Sequence, residues 1–196
     1  MKKELLVSLR MTLVTLVLTG LVYPLAVTGV AQAAFPWRAN GSLLTRDGKI
    51  VGSELLAQGF KNPAYFQPRP SAAGDGYDAT NSSASNLGPT SQKLKDRVAA
   101  DVARLQAENP QAKGPVPAEL VTTSGSGLDP HVSREAALWQ VPRVAAARHV
   151  PAAELELLLN SRVEGRALGF LGEPSVNVLR LNLELDEHYG RPAAAK

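Results

Sequence analysis

The eight residues Ser124–His131, SGSGLDPH, carry the side chains best suited to chemistry. Ser126, Asp129 and His131 are the residue types of a hydrolytic triad, and Ser124 is a second candidate nucleophile. Such a triad works only if the imidazole lies between hydroxyl and carboxylate. A turn at Asp129-Pro130 could bring the three together, yet the G-x-S-x-G elbow that exposes a nucleophilic serine is absent. The competing readings are a metal or ion contact and, foremost, a structural or partner-contacting role. Ser124, Gly125, Ser126, Gly127 and Asp129 then build a tight turn, and Pro130, His131 and Ser133 lead from it into a helix. The same glycines could aim amides at a phosphate, but no G-x-x-x-x-G-K-[ST] run accompanies them. His149 and His188 lack an H-E-x-x-H companion, and Asp75 and Asp78 stand apart, so spacing supplies no zinc or calcium centre. Cysteine is absent, which removes thiol nucleophiles, thiolate metal sites and disulfides.

What must position these residues begins with a charge-free run of 27 residues, Met11–Trp37. As a helix it exceeds the roughly 20 residues needed to cross a bilayer. Pro24 removes one backbone donor and is expected to kink the helix, and Tyr23 falls mid-span, where a protein neighbour suits it better than lipid. Lys2, Lys3 and Arg10 precede the run against Glu4 alone, which favours a cytoplasmic N-terminus. The expected layout is a cytoplasmic N-terminus at 1–10, a transmembrane helix at 11–37 and an extracytoplasmic domain at 38–196. The alternative is a cleaved signal peptide, for which Ala31-Gln32-Ala33 fits the small-residue pattern. The apolar run is, however, longer than the usual core of about 7–15 residues. Three of the 21 basic residues and one of the 18 acidic ones precede Arg38, so the exported part is nearly neutral and offers no nucleic-acid surface.

Asp47-Gly48 signals a turn, with Ile50-Val51 opening a short strand. Residues 59–91 are rich in Pro, Gly, Asn and Ser, yet Phe60, Tyr65, Phe66, Tyr77 and Leu87 recur through them. Disordered chains are poor in aromatics, so an ordered, surface-wrapping loop is expected. Leu94, Val98, Val102 and Leu105 form one apolar stripe of a helix capped by Thr90 or Ser91 and stopped at Asn109-Pro110. Ser133 caps a second helix, which Pro142 should break or reset near Val141. A third runs from Pro151 to about Arg162. Leu179, Leu181, Leu183 and Leu185 alternate with polar residues, which reads as a half-buried strand, although Val176, Leu179 and Leu183 also fit a helix. The fold class is therefore a single transmembrane helix followed by a small mixed α/β (α+β) domain.

In order and spacing, four segments resemble the KdpC family, the C subunit of the bacterial potassium-transporting Kdp ATPase. They are GSELLAQGFKNPAYFQPRPSA at 52–72, SNLGPTS at 85–91, PVPAELVTTSGSGLDPHVSREAALWQVPRVAAAR at 115–148 and EGRALGFLGEPSVNVLRLNLELD at 164–186. Ala84 stands where relatives commonly carry glycine. The resemblance implies a retained anchor in the bacterial inner membrane and a non-catalytic accessory role in high-affinity potassium uptake. The implied partners are a channel-like potassium-selective subunit, a P-type ATPase subunit, a small membrane peptide and the lipid bilayer. ATP and K+ are used by the complex rather than held by this chain, which lacks the DKTGT phosphorylation motif. The family is also described as a catalytic chaperone raising ATP affinity, with the SGSG region as nucleotide contact. With the N-terminus cytoplasmic the turn lies outside, which disfavours direct contact with cytoplasmic ATP and makes indirect coupling the expected route. Candidate contacts are the turn Ser124–His131 and the loop residues Tyr65, Phe66, Arg69, Pro70, Ser85 and Asn86. An exported Ser-dependent hydrolase and a standalone periplasmic binding module are the alternatives.

Overall fold

The computed structural model describes residues 1–192 in two compact units, one of Met1–Ser53 and one that begins at Glu54. In the first unit, α1 (Lys2–Val17), a π turn (Leu18–Val22) and α2 (Tyr23–Ala34) make one unbroken helix of 33 residues. At about 1.5 Å per residue it is longer than a bilayer core of about 30 Å, and none of its side chains is buried. The disturbance expected from Pro24 takes the form of the π turn just before it, where the Tyr23 N–H reaches back to the Leu18 carbonyl. Pro24 cannot donate and its ring crowds the preceding turn, and a wider turn relieves both. Phe35, at φ −139° and ψ 54° ahead of Pro36, leaves the helical region and ends the helix. Trp37 thus falls in a separate short helix, α3 (Pro36–Ala39), where its indole N–H donates to the Leu43 carbonyl at 3.1 Å. Strands β1 (Leu43–Arg46) and β2 (Lys49–Ser53) follow as an antiparallel hairpin. Asp47 and Gly48, at φ +51° and +73°, supply the two left-handed positions that a tight hairpin turn needs.

The second unit packs α4 (Gln92–Glu108), α5 (Arg134–Arg148), α6 (Ala152–Ser161) and α7 (Val178–Tyr189) around a core containing Phe66, Val132, Val144, Leu155, Leu159 and Leu181. A two-stranded antiparallel ribbon, β3 (His131–Ser133) with β4 (Ser175–Asn177), feeds α5 and α7 side by side. The capping expected from sequence is present: Ser91 Oγ accepts from the Leu94 amide and Ser133 Oγ from the Ala136 amide. The stripe on α4 is shallower than expected, with only Leu105 fully buried.

Two expectations are overturned. Pro142 does not end α5, which continues to Arg148 and closes on His149 in the left-handed region. Pro142 leaves the Leu138 carbonyl without its usual donor, and the adjacent Trp139 carbonyl takes a hydrogen bond from Asn109 Nδ2 at 2.6 Å. Tertiary packing of α5, most of whose central residues are buried, then outweighs the break. The alternating leucines are not a strand either. Only Ser175–Asn177 are extended, after which Asn177 Oδ1 accepts from the Arg180 amide and starts α7. Val178, Leu179, Leu181, Asn182, Leu185 and Asp186 are its buried positions, a 3.6-residue period completed by two polar residues.

Candidate functional site

The stretch around Phe66 is ordered without joining any sheet, because helix side chains replace the strand partner. Asn182 accepts from the Phe66 amide and donates to its carbonyl, both at 2.9 Å. Gln140 does the same to Gln67, at 2.8 and 3.0 Å. Arg143 donates to the carbonyls of Pro63 and Tyr65, and Arg148 to that of Ala64. Burial is the largest influence on the Arg143 guanidinium and brings its pKa down to about 10. Arg148 also meets Asp186 at 2.8 Å, lies 5.0 Å from the centroid of the Tyr65 ring, and is itself nearly inaccessible. The Tyr65 hydroxyl donates to Asp186 Oδ2 at 2.9 Å, and burial followed by that carboxylate pushes its pKa up.

From this rigid segment Arg69 reaches across to the SGSGLDPH turn. Its guanidinium donates to Thr123 O at 3.2 Å and lies 3.5 Å from Asp129 Oδ2. Thr123 in turn donates to Ser85 Oγ at 3.1 Å. Ser83 and Ser82 donate to the Ser126 carbonyl, and Ala57 N–H to that of Leu128. Gly127 sits at φ +69°, where an added Cβ would lie 2.7 Å from Ser83 O and 2.8 Å from Ala73 N. Gly125 has neither a positive φ nor any atom within 4 Å of such a Cβ. The turn therefore needs one glycine for close approach and tolerates a side chain at the other.

The residue types of a triad are present, but no triad forms. Ser126 Oγ accepts from the Leu128 amide at 3.1 Å, Asp129 Oδ1 accepts from the His131 amide at 3.0 Å, and Ser124 is buried. Among the described residues no hydrogen bond joins either serine hydroxyl to the imidazole. His131 instead stands 3.9 Å from Asp129 Oδ1, 3.6 Å from Glu164 Oε2 and 3.5 Å from Asn177 Nδ2. Pro130 offers its carbonyl to the Val178 amide at 2.9 Å, tying the turn to the start of α7. Among the described residues no group of three or more His, Asp or Glu side chains is placed to hold a metal ion.

Arg69, Ser85 and Asp129 thus converge, whereas Tyr65 and Phe66 belong to the α5–α7 side of the same loop. Asn86 takes φ +51° beside Ser85, and Pro70 lies half-buried after Arg69. Sequence reasoning missed the residues that hold this loop: Gln140, Arg143, Arg148, Asn182 and Asp186. Their one legible signal was polarity on otherwise apolar helix faces.

A second feature is an exposed apolar hairpin tip. The chain folds back between the Glu164–Ser175 and Ala167–Leu171 bridges, turning through Leu168 and Gly169 at φ +53° and +83°. Leu168, Phe170 and Leu171 are 83%, 68% and 50% exposed there, while Arg166 and Glu173 pair at 2.6 Å behind them.

Comparison with known proteins covers nearly the whole chain. The family described as K+-transporting ATPase, c chain, matches residues 5–187. A potassium-transporting ATPase KdpC subunit of Myxococcus xanthus is 61% identical over 186 residues, 94% of this chain and 88% of the relative. One from Koribacter versatilis is 55% identical over 187 residues, 95% of each chain. A match that runs through the apolar helix, the wrapping loop, the SGSG turn and α7 alike leaves one assignment: the chain belongs to the KdpC family.

Proposed function

We propose that this chain is the membrane-anchored, non-catalytic accessory subunit of an ATP-driven potassium uptake complex, acting in assembly and coupling. The observation that carries the reading is the 33-residue apolar helix with no buried side chain, on a chain that matches the family over residues 5–187. The exposed tip at Leu168, Phe170 and Leu171 adds apolar surface of the kind that marks a protein contact. The side chains that could do chemistry are instead engaged in the chain's own turns.

Lys2, Lys3 and Arg10 favour a cytoplasmic N-terminus, with residues beyond the span outside. In that orientation the SGSGLDPH turn and cytoplasmic ATP lie on opposite faces of the membrane. An effect on the ATP affinity of a pump subunit then passes through the assembly as coupling between states. The partners in this reading are a channel-like potassium-selective subunit, a P-type ATPase subunit and a small membrane peptide.

The test is purification of the complex with and without this chain, followed by potassium-stimulated ATP hydrolysis. The reading expects loss of stable composition or of stimulation when the chain is absent. Full potassium-stimulated activity from an intact complex lacking it would overturn the accessory role. A C-terminal tag reactive from the outside of intact cells checks the orientation; a tag reached only after the inner face is opened reverses it.

A further inference from the structure

We infer that Tyr23, with Thr15 and Thr19 stacked before it, forms the face by which the long helix docks on a membrane-spanning helix of another subunit. That helix must present a hydrogen-bond acceptor near mid-bilayer depth. The inference rests on the membrane-subunit reading above and names the surface and the chemistry it requires.

Tyr23 is the residue for which the bilayer has no answer. It is thirteenth in the charge-free run of 27, about 18 Å from Met11 and about 21 Å from Trp37 at roughly 1.5 Å per residue. A phenol cannot span that distance to water, and tyrosines that face lipid settle at the interfaces instead. Its side chain is 66% exposed, and among the described residues its hydroxyl has no hydrogen-bond partner. Neighbouring hydroxyls differ: Ser8 donates to Glu4 O and Thr19 to Thr15 O, each at 2.8 Å. A phenol projects away from its own backbone and cannot use that route. An unpaired donor in hydrocarbon is costly, and hydrocarbon supplies no acceptor.

The π turn puts this donor on a defined face. Steps of four along an α-helix drift by about 40° each, so Tyr23 would move progressively away from Thr15 and Thr19. The wider turn at Leu18–Val22 falls within the step from Thr19 to Tyr23 and cancels that drift. Leu13, Val17, Leu21 and Leu25 occupy the other side, all exposed and all hydrocarbon. One side of the helix is thus suited to lipid and the other to protein. A second copy of this chain does not complete it. If two Tyr23 hydroxyls met about a twofold axis, one would donate and the other would keep an unpaired hydrogen.

The experiment uses the complete complex in its own membranes, with a photoreactive benzophenone amino acid placed singly at positions 15, 19, 23, 13, 21 and 25. Cross-links from 15, 19 and 23 to a membrane-spanning peptide of a co-purifying subunit, identified by mass spectrometry, with none from 13, 21 and 25, are expected. Tyr23→Phe, which keeps the ring, should lower retention of the chain in detergent-washed complex by about three- to tenfold. Cross-links from 23 to lipid or to a second copy, equal labelling from both faces, or unchanged retention of Tyr23→Phe would overturn the inference while leaving the subunit reading intact. If no complex co-purifies with the unmodified chain, the subunit reading falls and this inference with it.

Discussion

Asn182 on α7 holds both backbone groups of Phe66, 116 residues away, accepting from its N–H and donating to its C=O at 2.9 Å. Phe66 is itself 1% exposed, so an aromatic anchor and its peptide groups are buried together. Gln140 repeats the arrangement on Gln67. A segment that cannot form a ladder, because Pro63, Pro68 and Pro70 lack amide hydrogens, is thereby satisfied from helices. Asn182→Leu removes both bonds at little change in volume and leaves two buried groups unpaired. It should cost about 2–5 kcal/mol, read as a lowered midpoint in chemical denaturation of the detergent-solubilised chain. A loss below about 0.5 kcal/mol would show that the loop does not depend on this clamp.

The two glycines of the SGSG turn should separate cleanly. Gly127→Ala meets Ser83 O and Ala73 N at a left-handed φ and should destabilise by about 2–5 kcal/mol. Gly125→Ala meets nothing and should stay within about 0.5 kcal/mol of the parent. Thermal unfolding of both variants decides it, and equal effects would sink the distinction.

Ser126 Oγ serves the Leu128 amide, not the imidazole. Ser126→Ala should therefore cost about 1 kcal/mol or less in stability. ATP turnover by the reconstituted complex should keep its chemistry, with at most a change in coupling. Abolished turnover by a complex of normal composition, or covalent labelling of Ser124 or Ser126 by a serine-reactive probe, would argue for a catalytic hydroxyl.

Leu168, Phe170 and Leu171 pack on nothing within this chain's described residues that hides them from solvent. Replacing Leu168 and Phe170 together with serine should leave the melting temperature within a few degrees of the parent. Recovery of the chain with its membrane partners should fall several-fold. Unchanged recovery would remove the tip from the contact surface.

Alkaline pH should act on the chain with opposing signs. Burial raises the pKa of Tyr65, with Asp186 adding to it, and burial raises that of Tyr77. Each holds its proton longer when folded, so its contribution is fully present below the unfolded value of about 10 and is lost as pH rises past the folded one. Arg143, lowered to about 10, works the other way. From there up to the unfolded arginine range the unfolded chain binds more protons, and stability from this group increases with pH. Tyr65→Phe with Tyr77→Phe should make the loss of stability above pH about 10 shallower, measured as unfolding midpoint against pH. An unchanged slope would mean that neither phenol is protected by the fold.

The sequence by itself determined what depends on near neighbours. The charge-free helix is a matter of composition, and the starts of α4 and α5 follow from one serine each, at 91 and 133, because a cap bonds amides two or three residues ahead. The hairpin turn at Asp47-Gly48 is equally local. Family membership was legible for a different reason, since four segments in fixed order specify a family without specifying coordinates. The tertiary structure decided everything that required a distant partner. Whether Leu179–Leu185 became strand or helix depended on burying Asn182 and Asp186 against the loop they serve, which no alternation of leucines reveals. Pro142 stayed inside α5 because burial of that helix in the core outweighs one lost backbone bond. Ser126, Asp129 and His131 were readable as a triad from their types alone. The fold gave Ser126 Oγ and Asp129 Oδ1 to the Leu128 and His131 amides, because a turn's own amides are the nearest donors to its side chains.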